Sequence, residues 1–440
     1  MLEFEDIQHI LLTRVPALTG RYEFLSFREP AQGRAWLAGM ISKVSSARYL
    51  QTSLNEDRRW VTVAFTCNGL KALGVDEASL ATFPEEFRQG MVARAQMLGD
   101  TGANHPDNWE GGLNSPDLHA IVILFARDEA ARLRSTEEHD AYLKQTSGVQ
   151  VLSSLDVAAV PPFTYAHDHF GYRDQISQLA IEGSGIEPTP GSGAPIKPGE
   201  FILGYDDENG PPGALPQPEI LTRNGSYMAY RRLREHVGRF REFLLEHGKT
   251  PEGQEYIAAK LMGRWRSGAP LVLAPDADDP ALAADYQRNN DFNYSKMDPF
   301  GYAVPLGAHI RRMNPRDTAP NMQRRRMIRR GATYGPLLPE GAADDGVDRG
   351  VAAFVLCASL VRQFEFAQNV WINDPNFHEL GNERDPIIGN QDGTFDMTIP
   401  KRPVRKKITG LPAFTTVRGG AYFFLPGLRA LNYLASLRDI

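Results

Sequence analysis

Ten histidines are spread through the 440 residues of this chain, and histidine is both the commonest side-chain metal ligand and a familiar axial ligand of haem. His309 stands out. It follows Gly307 and Ala308 and precedes Arg311, Arg312 and Arg316. Small residues before it would let a flat macrocycle approach the backbone, and the guanidiniums after it would hold carboxylates by bidentate, charge-assisted hydrogen bonds. Taken alone, the segment also suits a structural or surface histidine beside a solvated basic run.

The run from Arg311 to Arg330 holds eight arginines and one acid, a local charge of +7 in a chain of net charge −6. A nucleic-acid patch is one reading. The run lacks the interleaved aromatics of a base-stacking surface, which favours an internal anionic cofactor or plain surface charge. Arg329 and Arg330 fall in a strand-like stretch where alternation sends neighbours to opposite faces, so one of them points inward. Asp174 lies just before a stretch rich in glycine and proline, where a carboxylate can act as a general base in a cleft or merely shape a turn. His167 and His169 are two apart and could share a face as metal ligands, but no nearby cysteine or patterned histidine joins them.

These residues need a scaffold. Tyr22–Phe27, Arg59–Thr66, Leu118–Ala126 and Gly148–Leu155 are short and rich in β-branched and aromatic residues, so they read as strands. Helical patterns at Pro30–Val44 and Asp128–Thr146, with extra helix at Phe83–Leu98, complete a ferredoxin-like order. From Gly183 to Gly225 there are nine glycines and eight prolines, a long connector placed at a domain seam. Beyond it, strands are expected at Ser226–Arg231, Arg326–Tyr334, Ala352–Ser359 and Gly420–Leu425, and helices at Arg232–Glu246 and Val361–Trp371. Two α+β halves of similar order result, 1–182 and 225–440, joined by 183–224. Two cysteines are too few for a disulfide scaffold and suit a reducing compartment. The N-terminal residues show no basic segment followed by an apolar run, and no stretch approaches the roughly 20 apolar residues of a membrane span. A soluble, cytoplasmic protein is expected, with secretion by another route left open.

Several segments together resemble the dye-decolourising peroxidases, a haem family. GYRD at Gly171–Asp174 is similar to the start of that family's GxxDG motif and is followed by Ile176-Ser-Gln178. Gly307 to Arg312 (GAHIRR), with Asn314-Pro-Arg316, is similar to its haem-ligand segment. RRGATYGP from Arg329, RQFEF from Arg362 with Trp371 to Phe377, and DPIIG from Asp385 complete a likeness that runs from Asp6 to Leu431.

The resemblance implies an α+β fold of two ferredoxin-like halves, with antiparallel sheets, peripheral helices and haem b between sheet and helices of the second half. It implies His309 as iron ligand, Asp385 or Asp392 supporting its far nitrogen, Asp174 as distal acid-base and Arg329 as distal arginine. Arg311 and Arg316 become the propionate partners and Phe354 a distal wall. The implied enzyme uses hydrogen peroxide, by way of a ferryl intermediate, to oxidise bulky aromatic or dye-like reductants, with Tyr334 or Trp371 as electron relays or as core aromatics. Nucleic acid and membrane are not expected partners, and assembly into a homo-oligomer is left open.

One departure stands out: Gln175 occupies the place of the motif's last glycine, and Leu179 that of the usual proline. A glutamine forced to positive φ costs roughly 1 to 2 kcal/mol. It keeps a second reading in play, a haem carrier or sensor with weak or no peroxidase turnover. A structural protein without cofactor is the third.

Overall fold

The computed structural model describes residues 1–12, 19–50, 59–161 and 166–438. In the first half, β1 (Thr19–Phe27), β2 (Arg59–Phe65), β3 (Ala120–Ala126) and β4 (Val149–Ala158) form an antiparallel sheet in the order β4-β1-β3-β2. Every residue of β3 is buried, so this strand reads as a continuous apolar run rather than an alternating one. The helices Pro30–Met40 and Glu129–Gln145 follow β1 and β3. Proline in the first turn of one costs no helical hydrogen bond, and Asp128 caps the other by accepting from the Ala131 amide at 2.8 Å.

The second half repeats the order. It contains β5 (Ser226–Glu235), helices Val237–Gly248 and Pro251–Met262, β6 (Ile328–Tyr334), β7 (Gly350–Cys357), π-helical turns over Leu360–Asn373, and β10 (Thr415–Leu425), with strand order β10-β5-β7-β6. A separate hairpin pairs β8 (Asp396–Ile399) with β9 (Lys406–Thr409). The helix expected from Arg232 begins only at Val237. Leu233, which falls inside that expected helix, instead pairs with Val351 and Val417 within β5.

The two four-stranded layers meet through one pair, Phe424 on β10 with Phe65 on β2. At the far edges the Thr333 hydroxyl on β6 donates to the Ala158 carbonyl on β4. Between the layers lies one aromatic core that includes Tyr22, Phe24 and Phe125 from the first half and Tyr230, Phe354 and Phe423 from the second. The glycine- and proline-rich connector joins that core, with Phe201 and Ile202 fully buried. Its buried stretch is tied down by backbone hydrogen bonds such as Ile202 N to Pro198 O and Leu203 N to Gly225 O, both at 2.8 Å, while residues 211–214 are exposed. Among the described residues no helix is long and apolar enough to cross a membrane.

Candidate active site

The helices of the second half pack into a third apolar cluster, Phe240, Ile257, Leu261 and Ala308 among them. Between that cluster and the outer face of the second sheet is a cavity of about 520 Å³. His309 lines it at the start of the short helix His309–Met313. Its Nδ1 lies 2.9 Å from Oδ2 of Asp385, a fully buried carboxylate whose Oδ1 accepts the amides of Ile387 and Ile388 at 2.9 and 3.0 Å. Burial raises the Asp385 pKa, but His309, those amides and Arg312 outweigh it and hold the carboxyl below its ordinary value. Asp392 instead accepts from Thr394 at the surface, so Asp385 is the partner of His309. Nε2 of His309 has no hydrogen-bond partner among the described residues.

Gly307 and Ala308 do not line the cavity. A Cβ on Gly307 would come within 2.7 Å of Glu383 Oε2. Their small size serves packing behind the helix, not the approach of a macrocycle.

Asp174 and Gln175 are exposed toward the same cavity. The segment is tied down on both sides. The Asp174 amide donates to Ala166 O at 2.8 Å, the Gln178 amide donates to Thr189 Oγ1 at 3.1 Å, and the hydroxyls of Ser177 and Ser192 are 3.2 Å apart. Gln175 has φ +73, so the turn that brings Asp174 round keeps the left-handed geometry of a glycine, and the glutamine bears the strain. Half-buried Asp168 and buried Glu235 also line the cavity; burial pushes both carboxyls up, with the charge of Asp174 adding to the rise at Asp168 and that of Asp168 to the rise at Glu235.

On β6, Arg329 faces the cavity, and its guanidinium has no hydrogen-bond or ion-pair partner among the described residues, whereas Arg330 Nε donates to Ile10 O at 3.1 Å. Arg329 pairs across the ladder with Val355 and Arg330 with Phe354, and cross-strand partners share a face. Val351, Ala353 and Val355 are therefore the β7 side chains on the face of Arg329. Phe354, expected as a distal wall, borders the cavity, but its ring is fully buried against Tyr22 and Tyr230, with centroids 4.9 and 5.2 Å away. Its ring belongs to the core between the layers.

Arg311 also departs from expectation. Its guanidinium is buried against Asp298 Oδ2 at 3.0 Å and the carbonyls of Val304 and Asp298, and it does not line the cavity. It secures the loop before His309. Arg316 does line the cavity, stacked 3.7 Å over Phe292, and donates to the carbonyls of Gly191, Asn290 and Phe292. Gly191 is needed there, because a Cβ would lie 2.0 Å from Asn290 O.

Among the cavity arginines to which the sequence reading gave no role are Arg264 and Arg326. Arg264 is held by Gly268 O, Asn289 O and Asn290 Oδ1, and burial followed by the charge of Arg316 pushes it down to about 9. Arg326, pushed down to about 10 by burial and then by Arg329 and Arg316, has no side-chain hydrogen bond among the described residues. Arg326 was visible in the basic run. Arg264, in a different segment, had no such signal. His167 and His169 join no group of three or more metal-ligating side chains among the described residues, and His169 Nε2 donates to Tyr334 O at 2.8 Å.

An imidazole whose far nitrogen is anchored and whose near nitrogen is free, facing a partly apolar cavity with Arg326 and Arg329 unpaired, fits a flat iron-bearing ring with anionic arms. A carboxylate and a fixed guanidinium on the same cavity suit proton transfer with stabilisation of developing negative charge.

Comparison with known proteins agrees. Residues 6–158 match the DyP dimeric alpha+beta barrel domain. The chain is 31% identical to a dye-decolorizing peroxidase of Mycena epipterygia, over 99% of this chain and 87% of the relative. It is 32% identical to one from Exidia glandulosa, over 98% and 87%. An ancestral D-type dye decolorizing peroxidase superposes with a TM-score of 0.86 at 30% identity, covering 99% of this chain and 100% of that one. A dye-decolorizing peroxidase in complex with 2,6-dimethoxyphenol superposes equally well at 27% identity.

Proposed function

The chain belongs to the dye-decolorizing peroxidases, and from that premise we propose how its residues divide the work. It is a haem peroxidase that oxidises dyes and aromatic compounds. The finer assignments, haem b as cofactor, hydrogen peroxide as oxidant and the roles below, are our reading. The observation that carries it is the joint presence, on one cavity, of Asp174, Arg329 and a histidine backed by a buried carboxylate.

His309 would hold the iron through Nε2, with Arg316 and Arg326 as candidates beside the propionates. When bound, the haem accepts the oxidising equivalents of peroxide and passes them on one electron at a time. Asp385 keeps the Nδ1 proton on its own side of the ring, which orients the imidazole and raises the basicity of Nε2. Asp174, as a carboxylate, takes a proton from one oxygen of hydrogen peroxide and delivers it to the other, which leaves as water. Arg329 supplies a fixed positive charge where negative charge develops on the departing oxygen. Without a partner among the described residues, its donors are available for that task.

The turn at Gln175 holds the geometry a glycine would have, so the glutamine does not favour the carrier reading. Tyr334 is buried, and its phenol donates to Asp348 Oδ1 at 3.2 Å. That acceptor can take the phenol proton when the ring loses an electron, which suits a relay. Trp371 is buried too, edge-on to Phe366. The direct test is peroxide-dependent oxidation of 2,6-dimethoxyphenol by the haem-loaded protein, with Asp174→Asn and Arg329→Leu expected to lose the reaction while retaining haem.

A further inference from the structure

Two aromatic side chains, Phe300 (68% exposed) and Tyr302 (42%), stand together on the loop that leads to His309, with ring centroids 6.2 Å apart. Arg402 lies over the outer ring, its guanidinium 5.4 Å from the Tyr302 centroid and its Nε 3.0 Å from the phenol oxygen. Arg402 belongs to the tip of the β8–β9 hairpin, where residues 401–407 read KRPVRKK, five cations without an acid and every residue exposed. Lys406 is occupied by the His247 carbonyl and Lys407 by Asp396, while Lys249 stands beside Lys406. Lys401 and Arg405 have no hydrogen-bond or ion-pair partner among the described residues. In a chain of net charge −6, aromatic surface and uncompensated positive charge meet here.

We propose that this patch is a docking site for an anionic aromatic reductant of the sulfonated-dye type. Its ring lies against Phe300 and Tyr302, and its sulfonates face Lys401 and Arg405. The proposal rests on the peroxidase reading and adds a place where substrates too bulky for the cavity bind. Aromatic faces and cations recognise such a molecule together, since stacking and cation–π attraction act on the ring while charge acts on the sulfonates over about 10 Å at moderate salt.

The loop that carries the two rings is firmly held, so they stand in fixed positions. Lys260 Nζ donates to the carbonyls of Tyr302 and Ala303, and Asp298 accepts the Ala303 and Val304 amides at 3.1 and 2.8 Å while pairing with Arg311. Two docked molecules, each losing one electron and one proton, match one hydrogen peroxide leaving as two waters.

The test uses naphthalene-2,6-disulfonate, a redox-inert probe, titrated calorimetrically into the haem-loaded protein at low salt. The double variant Lys401→Glu/Arg405→Glu should bind it about tenfold or more weakly, two reversed surface charges each contributing modestly. Phe300→Ala should weaken it about threefold. KM for a disulfonated azo dye should rise in step, with kcat and KM for neutral 2,6-dimethoxyphenol within about twofold of the parent. Unchanged affinity for the disulfonate, or an equal loss with the neutral phenol, would overturn the site. Disulfonate binding that depends on Lys401 and Arg405 in a protein that oxidises neither substrate would sink the peroxidase reading while leaving the docking site standing.

Discussion

His309 Nδ1 and Asp385 Oδ2 are 2.9 Å apart, and the buried carboxylate spends its other oxygen on two backbone amides. The pair thus fixes both the tautomer of the imidazole and its direction, with Nε2 left for the cavity.

Replacing Asp385 with asparagine removes the charge but keeps the shape. Loss of such a partner typically costs 10- to 100-fold in metal affinity, so haem should dissociate faster, and the ferric spectrum should change. Transfer of haem to an excess of apo-myoglobin measures this. A transfer rate equal to the parent's would mean that the carboxylate does not tune the ligand.

The same pair has a pH signature. Asp385 is held below the ordinary carboxylate value in the folded protein, so its contribution to stability is complete above about pH 4 and is lost as pH falls through the depressed value. Denaturant unfolding of the parent and of Asp385→Asn should therefore converge as pH is lowered from about 5 toward 3. Parallel curves over that range would show that the carboxylate gains nothing from its surroundings.

Arg329→Leu should leave haem content unchanged and slow the reaction with peroxide by roughly 10² to 10³, the usual loss for one preorganised donor. Stopped-flow absorbance after mixing with peroxide reads this directly. A rate within about threefold of the parent would pass the role to Arg326, also a cavity guanidinium without a side-chain partner among the described residues.

Gln175→Gly relieves the strain at φ +73, a gain of roughly 1 to 2 kcal/mol partly cancelled by about 0.5 to 1 kcal/mol of added unfolded-state entropy. Melting temperature should rise slightly and the peroxide reaction should change by less than about threefold. A large gain in peroxide reactivity would show that glutamine displaces Asp174 from its working position.

Tyr334→Phe keeps the buried ring but removes the proton donated to Asp348. Oxidation of a bulky dye should fall severalfold, while the first reaction with peroxide stays the same. Equal dye turnover by the two proteins would assign Tyr334 to packing alone.

Much of this was legible in the sequence because strands and motifs are local. The strands of the first half appear within a few residues of their expected places, and the second half repeats the order after the connector. What the sequence hid was register and partner choice. Phe354 and Val355 are adjacent, and only pairing with β6 decides that Val355 shares the face of Arg329. Arg311 and Arg316 look alike in a basic run, yet Asp298, 13 residues before Arg311 in sequence, claims Arg311. Asp385 and Asp392 were indistinguishable until the chain folded one of them against His309. Leu233 fell inside the helix expected from Arg232, and pairing with Val351 and Val417 makes it a strand residue.

The central claim is that Asp174 moves the proton that lets this protein react with peroxide. It is tested most directly by stopped-flow spectra of the haem-loaded parent and Asp174→Asn after mixing with about one equivalent of hydrogen peroxide. The account predicts a rapid change of the Soret band in the parent, reversed by 2,6-dimethoxyphenol, and a change slower by about 10² or more in the variant, in keeping with the loss of a general acid-base. A parent spectrum indifferent to peroxide, or an equally fast change in Asp174→Asn, would contradict it.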